Sequence, residues 1–224
     1  MKALCILLCA SLFIASCASL PEIHLADGPV ALELQAGCRT VFPDGKWQFV
    51  HSIEAEFPGG RKGFVMGAVV ISSNPQKIEC VIMSMEGFVL FDARQDQDLV
   101  INRAIHPFDK KEFAEGLLRD LRLILFQPDG TLIKSGRLKN DSSICRFQIP
   151  DGGVVDVIAS PDNTWEIRQY CKDLRLTRTV QASSLRNVGS SERWPVPGKL
   201  KLTAHGPHGY ALLMTLVDAV SQTQ

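Results

Sequence analysis

Hydrophobic and polar positions change period several times along this chain. From Trp47 the period is two. Trp47, Phe49, His51, Ile53, Ala55 and Phe57 fall on one face and Gln48, Ser52, Glu54 and Glu56 on the other, which predicts a half-buried strand. Pro58-Gly59-Gly60 turns the chain. Residues 63–73 (GFVMGAVVISS) and 77–85 (KIECVIMSM), separated by Asn74-Pro75, are apolar on both faces, and Glu86-Gly87 leads into 88–93 (FVLFDA). These lengths and turns predict an antiparallel meander joined by tight hairpins. A period of 3.6 then takes over: Phe113, Leu117, Leu121 and Ile124/Leu125 form one stripe. Asp109 reads as its N-cap, with Glu112 completing a capping box, and Gln127-Pro128-Asp129-Gly130 ends it. Lys110, Lys111, Glu115, Arg119 and Arg122 make its solvated side. A second short helix is expected around 131–134. Strands resume at 143–149 and 154–159 about Pro150-Asp151-Gly152-Gly153, and again at 165–170 and 174–180. Residues 182–197 read as a loop, and 199–204 and 209–220 as the last pair, joined by His205-Gly206-Pro207-His208. Strands, one main helix and more strands, without βαβ alternation, predict an α+β fold: a strongly curved antiparallel sheet covered by one amphipathic helix.

Upstream of this pattern the first 16 residues carry one Lys, an uncharged apolar run and then small residues, the layout of a secretory signal. The run is about 14 residues, short of the roughly 20 that span a bilayer. Ile14-Ala15-Ser16-Cys17 resembles the lipobox of bacterial lipoproteins, which implies cleavage before Cys17 and lipid attachment to it. The alternative is an ordinary signal cleaved nearby, with Cys17 an incidental thiol. Ala18, rather than Asp, follows the Cys, and by the same resemblance the address is the outer membrane, periplasmic face. The expected organisation is a signal over 1–16, a lipidated N-terminus and tether over 17–46, rich in turn residues, and one domain over 47–220.

Composition narrows the function. Lys plus Arg number 24, as do Asp plus Glu. No basic excess exists to hold a polyanion, so nucleic acid is not an expected partner. Of seven Cys, Cys5 and Cys9 leave with the signal. Cys38, Cys80, Cys145 and Cys171 remain in an oxidising compartment, with three pairings open to them; buried free thiols are the alternative. None forms a C-x-x-C pair, so neither a zinc site nor a redox motif is indicated.

Catalytic chemistry finds little support. There is no G-x-S-x-G and no Gly-rich phosphate loop. His51 lies on the apolar face of its strand, and His205-x-x-His208 sits in a turn without an obvious third ligand. The pairs Glu54/Glu56 and Asp96/Asp98 fit wet positions. No enzyme, metal or cofactor is expected. The strands apolar on both faces admit two readings: ordinary core, or partly the lining of a pocket for something apolar. The candidate lining takes Val65, Val69, Ile71 and Ile82 from those strands, and Phe88 and Leu90 from the next. Phe113, Leu117 and Leu121 of the helix and Met214 of the last strand complete it.

The lipobox, the meander, the helix 113–128 (FAEGLLRDLRLILFQP) and a closing Gly209-Tyr210 strand together resemble an uncharacterised family of bacterial lipoproteins. That family resembles in turn the LolA/LolB lipoprotein-localisation carrier and receptor. The resemblance covers about 47–217. It implies an unclosed half-barrel lidded by helix, an apolar cavity for acyl chains, and an acyl chain, lipid or lipoprotein as partner. The receptor also carries a protruding loop with an apolar tip. Met85 is the candidate tip here, while Glu86 stands where the alignment calls for the apolar residue. A non-catalytic scaffolding lipoprotein with a filled core is the alternative function.

Overall fold

Each run of period two pairs antiparallel with its successor across a short turn, and the pairings join into one sheet. The computed structural model describes residues 20–186 and 194–222; the signal and Cys17, and part of the loop expected over 182–197, lie outside them. The strands are β1 (His24–Leu25), β2 (Lys46–Phe57), β3 (Arg61–Ser73), β4 (Gln76–Met83), β5 (Val89–Gln95), β6 (Leu99–Ala104) and β7 (Thr131–Arg137). They continue as β8 (Ser143–Gln148), β9 (Val154–Ala159), β10 (Trp165–Tyr170), β11 (Leu176–Arg186), β12 (Val196–Ala204) and β13 (Tyr210–Ser221). Two helices interrupt them, α1 (Gly28–Arg39) and α2 (Lys111–Leu125).

The order across the sheet is β1-β7-β8-β9-β10-β11-β12-β13-β2-β3-β4-β5-β6. The last strand therefore lies beside β2 in mid-sheet, with Ile53 opposite Met214, while β1 and β6 are left as edges. All twelve pairings are antiparallel and the sheet does not close. The register puts Phe49, Val69 and Cys80 in one row and Val157, Ile167, Val180 and Leu202 in another. Those residues, with Trp47, Ile71, Ile78 and Phe91, form the buried inner face against which the helices pack. Each fully buried aliphatic side chain there contributes roughly 1.5–3 kcal/mol.

Four local expectations are corrected. The stretch expected to be a tether is part of the fold from Pro21 onward. Pro29 opens α1, where a missing N–H costs nothing. Leu34 and Cys38, one turn apart, are the buried positions of its stripe, and α1 packs on β7, β8 and β9. The sheet is thus covered by two helices, not one. α2 starts later than its capping box implied. Its N-cap is Lys110, without a side-chain cap, and Asp109 lies 3.7 Å from His106 instead. The short helix expected around 131–134 is β7, whose ladder with β8 shifts register between Leu132 and Lys134. β11 runs to Arg186, into the expected loop.

The N-terminal segment wraps the β7 edge from both sides. Cys145 and Val157 face α1, so their neighbours Arg146 and Asp156 point to the outer face. Arg146 donates to both Asp156 oxygens at 2.7 and 2.8 Å, and both residues are buried. The same guanidinium donates to the Pro21 carbonyl at 3.1 Å, holding the incoming chain on that face. The chain then pairs as β1 with β7, where Leu25 lies opposite Gly136. A Cβ at position 136 would overlap the His24 carbonyl oxygen, so the pairing requires glycine. The chain next crosses to the inner face as α1, where Cys38 is disulfide-bonded to Cys145.

Candidate binding site

α2 lies on the inner face, and its sequence explains how it is held at both ends. Phe113, near its start, meets Phe91 of β5 edge-on at 5.3 Å and Phe108 at 5.1 Å. Ala114, Leu118, Ile124 and Leu125 are buried, while Phe113, Leu117 and Leu121 are half-buried against the same core. One buried residue on this face is charged. Asp120 is 4% exposed and accepts from Arg178 Nε of β11 at 2.9 Å and from the Tyr210 hydroxyl of β13. The Arg178 guanidinium lies 5.7 Å over the Tyr210 ring. Burial pushes the Tyr210 hydroxyl well above its ordinary range, and the Asp120 charge adds to the rise. Burial alone would lower Arg178; the charge and hydrogen bond of Asp120 outweigh it and raise the guanidinium. The three side chains form a polar latch that fixes α2 on the sheet.

Beneath α2 the packing is close except at its C-terminal end, where a cavity of about 120 Å³ lies among Leu123, Phe126, Ile149 and Val155. A void of about 10 Å³ remains among Phe49, His51, Ile124, Leu125, Trp165, Trp194 and Leu200, about the limit for one water. Trp194 closes this region: its indole donates to the Val41 carbonyl at 3.1 Å and its ring stands edge-on to Trp47 and Phe49. Beside α2 the packing opens. A cleft of about 840 Å³ runs between α2 and the β5–β6 edge. Leu99, Ile101 and Leu118 give it an apolar floor, while Lys111, Glu115, Arg119, Arg122, Gln95 and Asp98 supply polar walls. Arg122 donates to the Gln95 and Gln76 side-chain carbonyls at 3.1 and 2.9 Å.

The structure brings together nine of the ten residues expected to line a cavity. Val69, Ile71, Ile82 and Met214 are buried on the inner face. Val65, Leu90, Phe113, Leu117 and Leu121 are half-buried against the same core. Phe88 is the exception, 71% exposed. β5 begins only at Val89, and the turn Ser84–Phe88 is closed by Ser84 N–H to the Phe88 carbonyl at 2.9 Å. Phe88 therefore stands in that turn with Met85, 60% exposed, so the loop tip presents two apolar side chains. Cys80 is a buried free thiol pushed up to about 12 by burial, and Cys171 is the other free thiol among the described residues. His205 bonds Thr179 at 2.9 Å, and among the described residues no three His, Cys, Asp or Glu side chains cluster as a metal site would require.

The latch and the cleft were not anticipated from sequence, although one signal for the latch was available. Asp120 falls at the i+3 position after Leu117, inside the apolar stripe of the helix, and Arg178 shares a strand face with Val180. A charge inside each of two apolar faces is the pattern of a buried pair. The cleft depends on how far α2 stands from β6, which no local pattern encodes.

No protein-family model matches the chain, and no curated protein matches it by sequence. Solved structures match its shape. A LolA superfamily protein from Nitrosomonas europaea aligns with a TM-score of 0.55 at 10% identity, over 87% of this chain and 94% of that one. A putative outer membrane lipoprotein-sorting protein domain from Vibrio parahaemolyticus aligns at 0.53 and 8% identity, over 87% and 93%. A DUF1329 family protein from Desulfovibrio piger aligns at 0.48 and 9% identity, over 87% and 92%. The first two likenesses establish the fold: a large unclosed antiparallel sheet of the LolA kind.

Proposed function

We propose that this protein is a lipid-anchored envelope protein that binds an acyl chain or another apolar envelope component. Its place is the periplasmic face of the outer membrane, held through Cys17. The anchor rests on the lipobox-like Ile14-Ala15-Ser16-Cys17; none of the described helices is long and apolar enough to cross a membrane. The observation that carries the binding role is the cleft beside α2. Its apolar floor (Leu99, Ile101, Leu118) suits a hydrocarbon chain, and Lys111, Arg119 and Arg122 suit the polar head of an amphiphile.

Native mass spectrometry and uptake of a fluorescent fatty acid test this reading. Ile101 is 38% exposed on an edge strand, so Ile101→Glu should leave the fold intact. Uptake by Ile101→Glu should fall at least tenfold with an unchanged far-UV spectrum. Equal uptake would remove the ligand from this cleft. A second reading, a scaffolding lipoprotein, is favoured by the nearly filled space beneath α2. Absence of any adduct, with no uptake by the wild-type protein, would select it.

A further inference from the structure

The cleft beside α2 is lined by Lys111, Arg119 and Arg122, and the structure treats these cations differently. Lys111 is answered: its Nζ lies 3.4 Å from Glu115. Arg122 is half-buried near the end of α2, and its Nε and Nη1 donate to the side-chain carbonyls of Gln95 and Gln76 at 3.1 and 2.9 Å. Both acceptors are neutral amides, one at the end of β5 and the other at the start of β4, so the guanidinium is fixed without being neutralised. Arg119 is exposed and has no ion pair among the described residues. The last turn of a helix favours a cation, and Arg122 lies 5.9 Å over the Phe126 ring. Those contacts account for a positive residue at 122. They do not account for a guanidinium clamped by two strands and left without a carboxylate. The same two arginines line both hollows that flank the helix, the 840 Å³ cleft and the 120 Å³ cavity at its C-terminal end. The carboxylates of these linings are Asp98 and Glu115 on one side and Asp129 on the other, and none is ion-paired with either arginine.

We infer that the cleft selects amphiphiles with an oxyanion head, a carboxylate or a phosphate, and that Arg122 with Arg119 is the site that recognises it. The head sits toward the C-terminal end of α2, and the hydrocarbon chain lies over Leu99, Ile101 and Leu118. The amides use Nε and one N–H of Nη1, which leaves the Nη1–Nη2 edge of Arg122 for a ligand. A planar guanidinium edge meets a carboxylate or phosphate with parallel charge-assisted hydrogen bonds, roughly twice as strong as neutral ones. An uncharged head gains none of this. Gln76 and Gln95 are positioning residues: they hold the guanidinium before the ligand arrives, so little side-chain freedom is lost on binding. Lys111 contributes little, because its charge is already met by Glu115 at the surface. This selectivity rests on the binding role proposed for the cleft, and adds to it the class of ligand and its orientation.

The test uses the mature chain, residues 17–224, carrying Cys17→Ser so that no detergent competes for the cleft. Binding of decanoate, decyl phosphate and decanol is measured by calorimetry at about pH 8, where both acids are ionised. The wild type should bind one or both anions at least tenfold more tightly than decanol. Arg122→Met should cut that ratio to about twofold and leave the decanol affinity unchanged. Gln76→Leu/Gln95→Leu should lower the ratio several-fold, whereas a loss of packing alone would weaken all three ligands together. Arg122→Lys, which keeps the charge but not the planar fork, should recover only part of the ratio. A preference for decyl phosphate assigns the site to a phospholipid-like head, and a preference for decanoate to a free fatty acid. Equal wild-type affinity for all three ligands, or a ratio untouched by Arg122→Met and by Arg119→Met, would overturn the oxyanion site; if Ile101→Glu still abolishes binding, the cleft stands as a binding site. No binding of any ligand, or binding that Ile101→Glu does not weaken, would overturn the cleft and the oxyanion site together.

Discussion

His51 shows how one residue can carry a pH dependence without taking part in chemistry. Its strand period places it on the inner face of β2, and there it is buried beside Phe49, with ring centroids 6.3 Å apart. Burial lowers its pKa from 6.5 to about 4. The unfolded chain therefore takes up a proton before the folded one as pH falls. Stability contributed by the neutral ring is intact above pH 6.5, declines as pH drops toward 4, and is gone below it. The full loss is on the order of 3 kcal/mol. Urea unfolding at pH 7, 5.5 and 4 should show this decline in the wild type, and His51→Leu should flatten it by about that amount. A wild-type slope that persists unchanged in His51→Leu would assign the acid sensitivity to other groups. The burial of His51 was legible because alternation over six positions fixes a face. Asp120 was harder to read: a carboxylate inside an apolar stripe is buried only because Arg178 and Tyr210 arrive from strands about 60 and 90 residues later.

Among the elements, those whose pattern is self-contained were legible and those completed by a distant partner were not. β2, β3, β4, β8, β9 and β10 alternate cleanly or carry turns at both ends, so local sequence defines them. α1 offers only Leu34 and Cys38 to the core, too short a stripe to stand out between Pro29 and Pro43. β7 hides its alternation behind the irregularity at Ile133. Both are held by what they pack against, and for α1 part of that hold is covalent. The Cys38–Cys145 bond joins residues 107 apart in sequence, and loop-closure entropy assigns such a cross-link about 5 kcal/mol. Cys38→Ser/Cys145→Ser should therefore lower unfolding stability by up to about that figure, read from denaturant midpoints. Hydrogen exchange should also speed up in residues 28–39 more than in β2–β4. Uniform acceleration across the sheet would mean that α1 and the sheet open as one unit.

At the scale of the whole molecule, the sheet stays open and α2 lies on its inner face beside the cleft, so the proposed binding role turns on how α2 is held. An amphipathic helix on an apolar face could be held by burial alone; here Asp120, Arg178 and Tyr210 add a directional contact past its midpoint. Removing one member of a buried ion pair costs about 3–5 kcal/mol, because the partner is left charged without compensation, whereas replacing both members with apolar groups is often close to neutral. Arg178→Met should therefore strain the α2 contact, and Asp120→Leu/Arg178→Met should relieve it. If binding works by displacing α2 from the inner face, the single variant should bind anilinonaphthalene sulfonate and a fluorescent fatty acid several-fold better than the wild type at neutral pH. Far-UV spectra should be unchanged, and the double variant should return toward wild-type binding. The nearly filled space beneath α2 is then the closed form of a container, and the 840 Å³ cleft is its mouth. Should Arg178→Met lose stability yet bind neither probe, α2 is a fixed part of the core, any ligand is confined to the cleft itself, and the scaffolding role gains the ground that the carrier role loses.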